Sequence, residues 1–438
     1  MKISRSLQIV LGLFGLSLIA LAVSGEIIYS RLTYFWVLLI AGNFVWSRLT
    51  LRGVEFKRSA RLHRAQVGQT FEERLDVYNR SRLPIVWLEV RDQSEVPGSR
   101  GSRVHTRIGG RESRSHLSRT RLVQRGAFQL GPTVVASADP FGLFPVSRMF
   151  PPQVSLVVYP MLVEIPAFPN PPGLLPGGDA LRRRTHQVTP NASSVRDYDS
   201  GDPMNRIHWP TTARKGKLIV KEFELDPLAE VWCFVDSQAN THAELPFTAK
   251  TSVDDVIFRT KQQDAELIPA TQEYAATVAA SLGRYYLRRG RAFALVTGGQ
   301  TVDIIPPDRG PRQFGKILES LALWDANDEL PFAALVAGQA RHLPRGSTVV
   351  LVTASPSREI PAAADQLVRL GLRPVVVLLD ASSFGADWKI DDQEATLRGL
   401  GIPVTRIARG DDIGVALSLT SVWGTEIRSA AVRATELI

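Results

Sequence analysis

Residues 195–224, VRDYDSGDPMNRIHWPTTARKGKLIVKEFE, are the most informative stretch of this chain. They mix acidic and basic side chains with apolar ones, and Trp209 lies near the centre. A solvated loop rarely contains a tryptophan, and a core strand rarely contains so many opposite charges. Because burying an unpaired charge is costly, the mixture predicts a half-buried polar network. Such a network forms a ligand or partner site, or it joins two domains.

The spacing RxYxxGDxxxxIHWxxxARxxxL in this stretch resembles the domain-of-unknown-function 58 family, which consists of membrane-anchored bacterial proteins. Three further motifs precede it in the expected order: RGAFQLGP at 125–132, SADPFGLF at 137–144 and VVYP at 157–160. The resemblance implies a C-terminal half similar to a von Willebrand factor A domain. The signature residues, which also form the expected docking site, are Arg196, Tyr198, Gly201, Asp202, Ile207, His208, Trp209, Ala213, Arg214, Leu218 and Glu222.

The N-terminus contains two apolar runs. Residues 7–25 form 19 uncharged positions, which as a helix extend about 28 Å and suffice to cross a bilayer. Residues 32–46 form a shorter run, and basic residues flank the pair on both sides. By the positive-inside rule, we expect a hairpin in the bacterial inner membrane with a cytoplasmic soluble body. The alternative is a cleaved signal peptide, since Ala20-Leu21-Ala22 fits a cleavage site.

Basic residues concentrate just after the apolar runs. The formal net charge is +9, and residues 48–125 hold 18 Lys and Arg against 8 Asp and Glu. Attraction to anionic lipid headgroups explains a basic region in this place. No nucleic-acid-binding fold and no pattern of stacking aromatics accompanies the arginines. We therefore expect a membrane surface as the partner and no nucleic acid.

The chain divides into segments with different patterns. We expect a transmembrane hairpin over 1–50, an all-β sandwich-like module over 51–165, a Pro- and Gly-rich linker over 166–194 and the signature over 195–228. Short alternating runs separated by turn residues mark the β module. From 229 to 438, apolar strands alternate with amphipathic helices, as in an α/β doubly wound domain. The resemblance identifies this domain as von Willebrand factor A-like.

Two polar turns carry further structural expectations. In the SADPFGLF motif, Asp139 and Pro140 predict a turn whose following residues, Phe141, Leu143 and Phe144, close the core of the β module. Residues 241–270 interrupt the first strand-to-helix crossover of the C-terminal domain. We expect them to form a polar insertion over the rim of the sheet.

The end of the first C-terminal strand is a candidate metal site. Von Willebrand factor A-type domains usually carry Asp-x-Ser-x-Ser there, and hard cations such as magnesium prefer such oxygen ligands. Here the tip reads Asp236, Ser237, Gln238, Ala239 and Asn240, so an amide replaces each expected hydroxyl. No carboxylate follows the later strand VVLVT either. We expect a degenerate, metal-free site and no cofactor, with a divalent cation at Asp236, Gln238 and Asn240 as the alternative.

Three functions remain open on sequence grounds: an adaptor, a metal-assisted hydrolase and, because of the basic region, a lipid- or glycan-binding β module. The chain has no Walker-type phosphate loop and no GxGxxG motif, and no nucleophile and base pair accompanies His208. We therefore expect a non-enzymatic, membrane-tethered adaptor for protein–protein interaction, and the resemblance implies a MoxR-type AAA+ ATPase as partner. In the signature, we expect His208 and Trp209 to pack against the C-terminal domain. The alternative is a metal-assisted hydrolase that uses Asp236, Asp202 and His208.

Overall fold

Two apolar helices begin the chain. The computed structural model describes residues 4–99, 102–152, 154–168, 192–199, 204, 207–223, 230–247, 267–298 and 302–418. Helix α1 (Arg5–Ser24) is capped by the Ser4 hydroxyl, and Gly25, with a φ of 66°, ends it in the left-handed conformation. Helix α2 (Ile27–Thr50) follows directly. Both helices are long and apolar enough to cross a membrane. Helix α2 extends beyond the short apolar run, because residues 27–31 and 47–50 join it.

In the described residues, the β module contains ten short strands in three sheets. The first sheet has the order β1-β3-β6, the second β5-β4-β8-β9 and the third β2-β10-β7. Strand β3 alternates buried and exposed residues along most of its length, as expected for a sheet with one solvated face. The strands are β1 (Val54–Ala60), β2 (Arg64–Gln66), β3 (Thr70–Asn79), β4 (Ile85–Asp92), β5 (Ser102–Ile108), β6 (Ser113–Arg121), β7 (Gly126–Leu130), β8 (Thr133–Ser137), β9 (Val146–Phe150) and β10 (Val154–Tyr159).

The first two sheets of the β module face each other across one apolar core. Phe56 and Val77 from the first sheet pack with Leu88 and Val135 from the second. A second apolar cluster lies against the third sheet and includes Leu156. The short-strand pattern of this region therefore corresponds to a sheet-rich body.

The turn at Asp139 is present, but its apolar side chains do not close the core of the β module. Leu143 and Phe144 are buried against the helical hairpin, in a cluster with Leu7 and neighbouring residues of α1 and α2. Phe141 is 64% exposed. The expectation that the three side chains seal the β core was wrong, because the turn projects towards the hairpin.

The C-terminal region forms a six-stranded sheet with helices between its strands. The strand order is β15-β14-β13-β16-β17-β18, and β15 is antiparallel to β14 while the other pairs are parallel. The strands are β13 (Val231–Val235), β14 (Phe293–Thr297), β15 (Asp303–Asp308), β16 (Thr348–Thr353), β17 (Arg373–Leu379) and β18 (Val404–Ile407). The helices are α4 (Thr271–Arg288), α5 (Pro311–Leu323), α6 (Phe332–Ala340), α7 (Glu359–Arg369) and α8 (Asp391–Gly399).

Apolar layers cover both faces of this sheet. Cys233 and Val350 point to the layer formed with α4 and α5, whereas Phe234 and Leu351 point to the layer formed with α6 and α7. Alternate residues of each strand thus enter opposite layers, which explains why the strands read as continuous apolar runs. The sequence predicted amphipathic helices between these strands, and helices are present there. Helix α8 is the least amphipathic of them, since its one buried apolar side chain is Leu397.

Arg125 joins the β module to the C-terminal domain. Its Nε donates to the carbonyl of Leu321 at 2.9 Å, its Nη2 donates to the carbonyl of Trp324 at 2.9 Å, and its Nη1 pairs with the carboxylate of Glu273. The guanidinium also lies over the Trp324 ring, 5.2 Å from its centroid. Because the Arg125 side chain is 3% exposed, these contacts are buried and hold the two parts together at this point.

Candidate functional site

The signature folds back on itself as a two-stranded ribbon. Strand β11 (Ala192–Asp197) pairs antiparallel with β12 (Ile219–Phe223), and helix α3 (Trp209–Lys215) lies between them in the chain. Ile207 bridges to Val220, and the Tyr198 amide donates to the carbonyl of Leu218 at 3.0 Å. Pairing of the two signature halves explains why charged and apolar residues alternate there.

His208 caps helix α3. Its Nδ1 accepts the Thr211 amide at 3.3 Å and lies 2.7 Å from the Thr211 hydroxyl. The His208 amide donates to the carbonyl of Ile219 at 2.8 Å, which ties the start of α3 to β12. A side-chain acceptor at this position satisfies an amide that the first helical turn leaves without a partner. The structure thus gives His208 a local structural role.

Trp209 is on the surface. It is 61% exposed, and Leu218 is 42% exposed, whereas Ile207 is 4% exposed. The expectation that Trp209 packs against the C-terminal domain was wrong, because α3 turns this side chain outward. Ala213 and Arg214 are also exposed, on the same short helix.

The other signature residues are described in part or not at all. Arg196 lies in β11 and Glu222 lies in β12, but only their backbone belongs to the described structure. Gly201 and Asp202 fall outside the described residues. The structure therefore brings Tyr198, Ile207, His208, Trp209 and Leu218 into one ribbon.

A second candidate site lies where the strand order of the C-terminal sheet reverses. Strand β13 has β14 on one side and β16 on the other, so the chain leaves β13 in one direction and later returns to its other edge. In open α/β sheets, ligands bind at the carboxyl ends of the strands at this point. Asp236 follows β13 and Thr353 ends β16. We call residues 236–242 and 353–357 the switch-point rim.

The Asp236 carboxylate is enclosed at the rim. It accepts hydrogen bonds from the Thr353 hydroxyl at 2.6 Å, the Gln238 amide at 3.0 Å and the Thr241 hydroxyl at 3.3 Å. Asp236 has no exposed surface, and burial raises the pKa of its carboxyl. The residue thus holds together two neighbouring loops. Asn240 lies exposed in the adjacent 3₁₀ turn (Ala239–Thr241).

The residues at the rim do not fit a resident divalent cation. Both Asp236 oxygens face hydrogen-bond donors of the protein, and Ser237 Oγ accepts the Gly298 amide at 2.9 Å and Trp324 Nε1 at 2.8 Å. A cation needs several oxygen atoms that point into one open space. Among the residues that the structure describes, no group of three or more His, Cys, Asp or Glu side chains is placed to hold a metal ion.

A continuous set of contacts links the rim to the β module. Trp324 donates to Ser237 at the rim and receives the Arg125 guanidinium on its ring. The His242 ring packs against the Trp324 ring at 6.1 Å between centroids. The sequence interpretation missed the role of Arg125, Trp324 and Thr353. The one available signal was Arg125 itself, which opens the RGAFQLGP motif.

His242 is held neutral at the rim. Its Nε2 lies 2.8 Å from the Asp236 carbonyl, which only accepts, so Nε2 carries the proton, and its Nδ1 lies 2.9 Å from the Thr271 hydroxyl. Burial lowers the pKa of His242, and the nearby Asp236 charge opposes that shift only partly. The neutral ring is therefore the form that the folded chain favours.

Because the folded chain favours neutral His242, acidification should destabilise it. Below its ordinary pKa of 6.5, His242 takes up a proton in the unfolded chain before it does so in the folded chain. The free energy of unfolding should therefore fall as the pH drops below about 6.5, by up to about 1.4 kcal/mol for each unit between the two pKa values. Urea unfolding of the wild type and of His242→Gln at about pH 7.5 and about pH 5.5 tests this. The wild type should lose more stability than the variant, and equal losses would contradict the assignment.

Comparison with known proteins supports the resemblance over the second half of the chain. The family model "Protein of unknown function DUF58" matches residues 194–396. The chain is similar to this family there. The matched range includes the signature and most of the six-stranded sheet, whereas the three upstream motifs lie outside it. An uncharacterized protein, YeaD, of Bacillus subtilis (strain 168) is 25% identical over 203 residues, which are 46% of this chain and 43% of that protein.

Solved structures show low overall similarity. The CARDB domain of the PF1109 protein from Pyrococcus furiosus has 11% identity and a TM-score of 0.18, over 24% of this chain and 91% of that domain. The cupredoxin domain of amoB from Nitrosocaldus yellowstonii has 9% identity and a TM-score of 0.19, over 33% of this chain and 99% of that domain.

Proposed function

We propose that this chain is a membrane-tethered adaptor. The α1–α2 hairpin holds it in the bacterial inner membrane with the remaining chain in the cytoplasm. The C-terminal region is a doubly wound, von Willebrand factor A-like domain. Together with the signature ribbon, it binds a MoxR-type AAA+ ATPase and connects that enzyme to remodelling or assembly at the cell envelope.

The exposure of Trp209 is the observation that carries this proposal. The ribbon buries Ile207, Ile219 and Val220, so the segment is able to bury apolar side chains. It nevertheless leaves its largest aromatic side chain 61% exposed. Tryptophan and arginine are the residues that most often dominate the binding energy of protein interfaces, and Arg214 is exposed on the same helix. The pair suits a protein partner better than a small substrate.

The contacts at Arg125 support an adaptor in a second way. A tethered adaptor has to transmit force or position between its partner and the membrane, and a loose junction would not do so. Arg125 bonds two carbonyls and one carboxylate of the C-terminal domain, so this contact couples the β module to that domain.

The enclosure of Asp236 gives the hydrolase alternative no support. That alternative needs Asp236, Asp202 and His208 to share one centre. Asp236 is enclosed by three donors, His208 caps α3, and Asp202 lies outside the described residues.

Truncation of Trp209 should strongly weaken partner binding. Removing a central interface tryptophan costs about 2 kcal/mol or more, which corresponds to a roughly 30-fold loss of affinity. Titration of the purified MoxR-type ATPase against the full chain in nanodiscs measures this for the wild type and for Trp209→Ala. Arg214→Glu should weaken binding as well, since it reverses an exposed charge on the same helix.

The control is the exposed Arg341, which ends helix α6 far from the signature in the chain. Arg341→Glu makes the same change of charge and should leave the affinity unchanged. The proposal fails if the ATPase does not bind the wild type. It also fails if Arg341→Glu and Arg214→Glu weaken binding equally, because binding would then follow net charge instead of the ribbon.

A further inference from the structure

The loop at residues 139–145, which we call the hairpin-facing loop, is built around one buried carboxylate. Asp139 has no exposed surface. Its oxygens accept the amides of Phe141 at 3.1 Å, Leu143 at 3.2 Å and Phe144 at 2.6 Å. A carboxylate that accepts several backbone amides holds a loop in one conformation. The backbone of the loop is therefore held in one conformation at Phe141, Leu143 and Phe144.

The second half of this loop is inserted between the two N-terminal helices. The Ser4 hydroxyl donates to the carbonyl of Leu143 at 2.8 Å, and the Ser47 hydroxyl donates to the carbonyl of Phe144 at 2.7 Å. The Phe144 ring meets the Phe44 ring edge-on at 5.5 Å between centroids. Each helix of the hairpin thus bonds the loop, through one serine near the end of the helix that adjoins the β module.

The loop reaches the apolar part of the helices. The Phe144 ring contacts Phe44 of α2, and Phe44 precedes Arg48 by four residues. That separation corresponds to about 6 Å along the helix. Arg48 is the first cation after the apolar run and marks where α2 meets the headgroups. The loop therefore lies on the apolar side of that level.

Phe141 occupies the outer tip of the same loop. It is 64% exposed although Leu143, two residues on, is 2% exposed. The exposed cations Arg5, Arg48 and Arg52 belong to the helix ends that the loop contacts, and such cations bind anionic headgroups. An exposed phenylalanine on a loop that contacts these helix ends has the chemistry of a side chain that enters the boundary between headgroups and acyl chains.

We propose that the hairpin-facing loop is a third membrane-contact element, in which Phe141 inserts into the lipid boundary beside the helices. This inference rests on the proposed membrane tether. A third membrane contact, away from the axes of the two helices, resists rotation of the β module about the hairpin. The SADPFGLF motif then positions the soluble body relative to the bilayer surface.

Lipid-borne quenchers test this insertion. The full chain with Phe141→Cys is labelled at this cysteine with an environment-sensitive fluorophore. It is then reconstituted into vesicles that contain anionic lipid and spin-labelled lipid. The native Cys233 has no exposed surface, and burial raises its pKa to about 12, so it does not compete for the label. We expect blue-shifted emission and loss of emission to the spin label. Insertion of about 5–10 Å predicts that a spin label near the headgroup quenches more than one at the chain end.

Two control positions with similar exposure distinguish failure of the loop insertion from failure of the membrane tether. Leu16, on α1, is also 64% exposed, and Leu323, at the end of α5, is 61% exposed. Leu16→Cys and Leu323→Cys are labelled in the same way. Quenching at 16 and 141 but not at 323 supports the inference. Quenching at 16 without quenching at 141 overturns it and leaves the membrane tether standing. A blue shift at 141 without quenching means that a protein surface covers the loop, which also overturns it. Absence of quenching at both 16 and 141 overturns the tether as well.

Discussion

Arg125→Ala should destabilise the protein more than any surface substitution. The change leaves the Glu273 carboxylate buried at the junction without its cation, and it leaves the carbonyls of Leu321 and Trp324 without their donors. Breaking a buried ion pair by removing one partner costs about 3–5 kcal/mol. Burial already raises the pKa of Glu273 against the lowering effect of Arg125, so the carboxylate depends on this cation. Urea unfolding of the full chain in detergent, followed by tryptophan fluorescence, measures the loss.

Arg119→Ala provides the matched control. Arg119 belongs to the same module and pairs with Glu72 at 2.7 Å, but the two side chains are 53% and 39% exposed. Exposed pairs of this kind contribute about 0–1 kcal/mol. The double variant Arg125→Met with Glu273→Gln should regain much of the loss, because neither charge remains buried. Equal unfolding midpoints for Arg125→Ala and Arg119→Ala would show that the junction does not hold the two parts together.

Arg58→Met should destabilise the β module by a similar amount and with a distinct pH dependence. The Arg58 guanidinium pairs with Asp92, lies 3.6 Å from Glu73 and donates to the Ser94 hydroxyl at 2.8 Å. All three charged side chains are 6% exposed or less. Removing the cation leaves two neighbouring carboxylates buried, which costs about 3–5 kcal/mol.

The pH dependence follows from Glu73. Burial raises its pKa above 4.5, and Arg58 opposes that rise, so loss of Arg58 should raise the pKa further. A carboxyl with a raised pKa binds a proton in the folded chain before it does so in the unfolded chain. The free energy of unfolding of the variant should therefore increase, relative to wild type, as the pH is lowered from about 8 to about 5. Unfolding of both proteins at the two pH values measures this.

Arg74→Met is the control for Arg58→Met. Arg74 lies on β3 and pairs with Asp76 at 2.8 Å, but its side chain is 59% exposed. It should shift the unfolding midpoint little at either pH. If Arg58→Met were equally mild, or if its deficit did not change with pH, the buried charges would not behave as the structure indicates.

Local sequence patterns predicted helices and strands more accurately than they predicted contacts between distant residues. Alternation in β3 and the continuous apolar runs of β13 and β16 indicate strands because each side chain has a fixed direction on a pleated strand. The two apolar N-terminal runs likewise predicted two helices. Helix α8 buries few apolar side chains, so its sequence carries little helical periodicity and does not by itself indicate a helix.

Long-range contacts determine the candidate sites, and those contacts leave no period in the sequence. Arg125 meets Trp324 across 199 positions, and Ser47 meets Phe144 across 97. The position of Arg125 in its motif does not indicate which residues it contacts. A phenylalanine after a turn, such as Phe144, can pack in a β core or against a helical hairpin. For the same reason the sequence predicted that Trp209 is packed, although the structure places it outside.

Labelling of single cysteines in bacterial spheroplasts tests the central claim most directly, namely that a hairpin tethers the chain with its body on the cytoplasmic side. Glu26→Cys lies between α1 and α2, and Lys389→Cys is exposed in the C-terminal region. A membrane-impermeant maleimide should label Glu26→Cys in intact spheroplasts and Lys389→Cys only after permeabilisation. Labelling of Lys389→Cys in intact spheroplasts, or protection of Glu26→Cys there, would contradict the account.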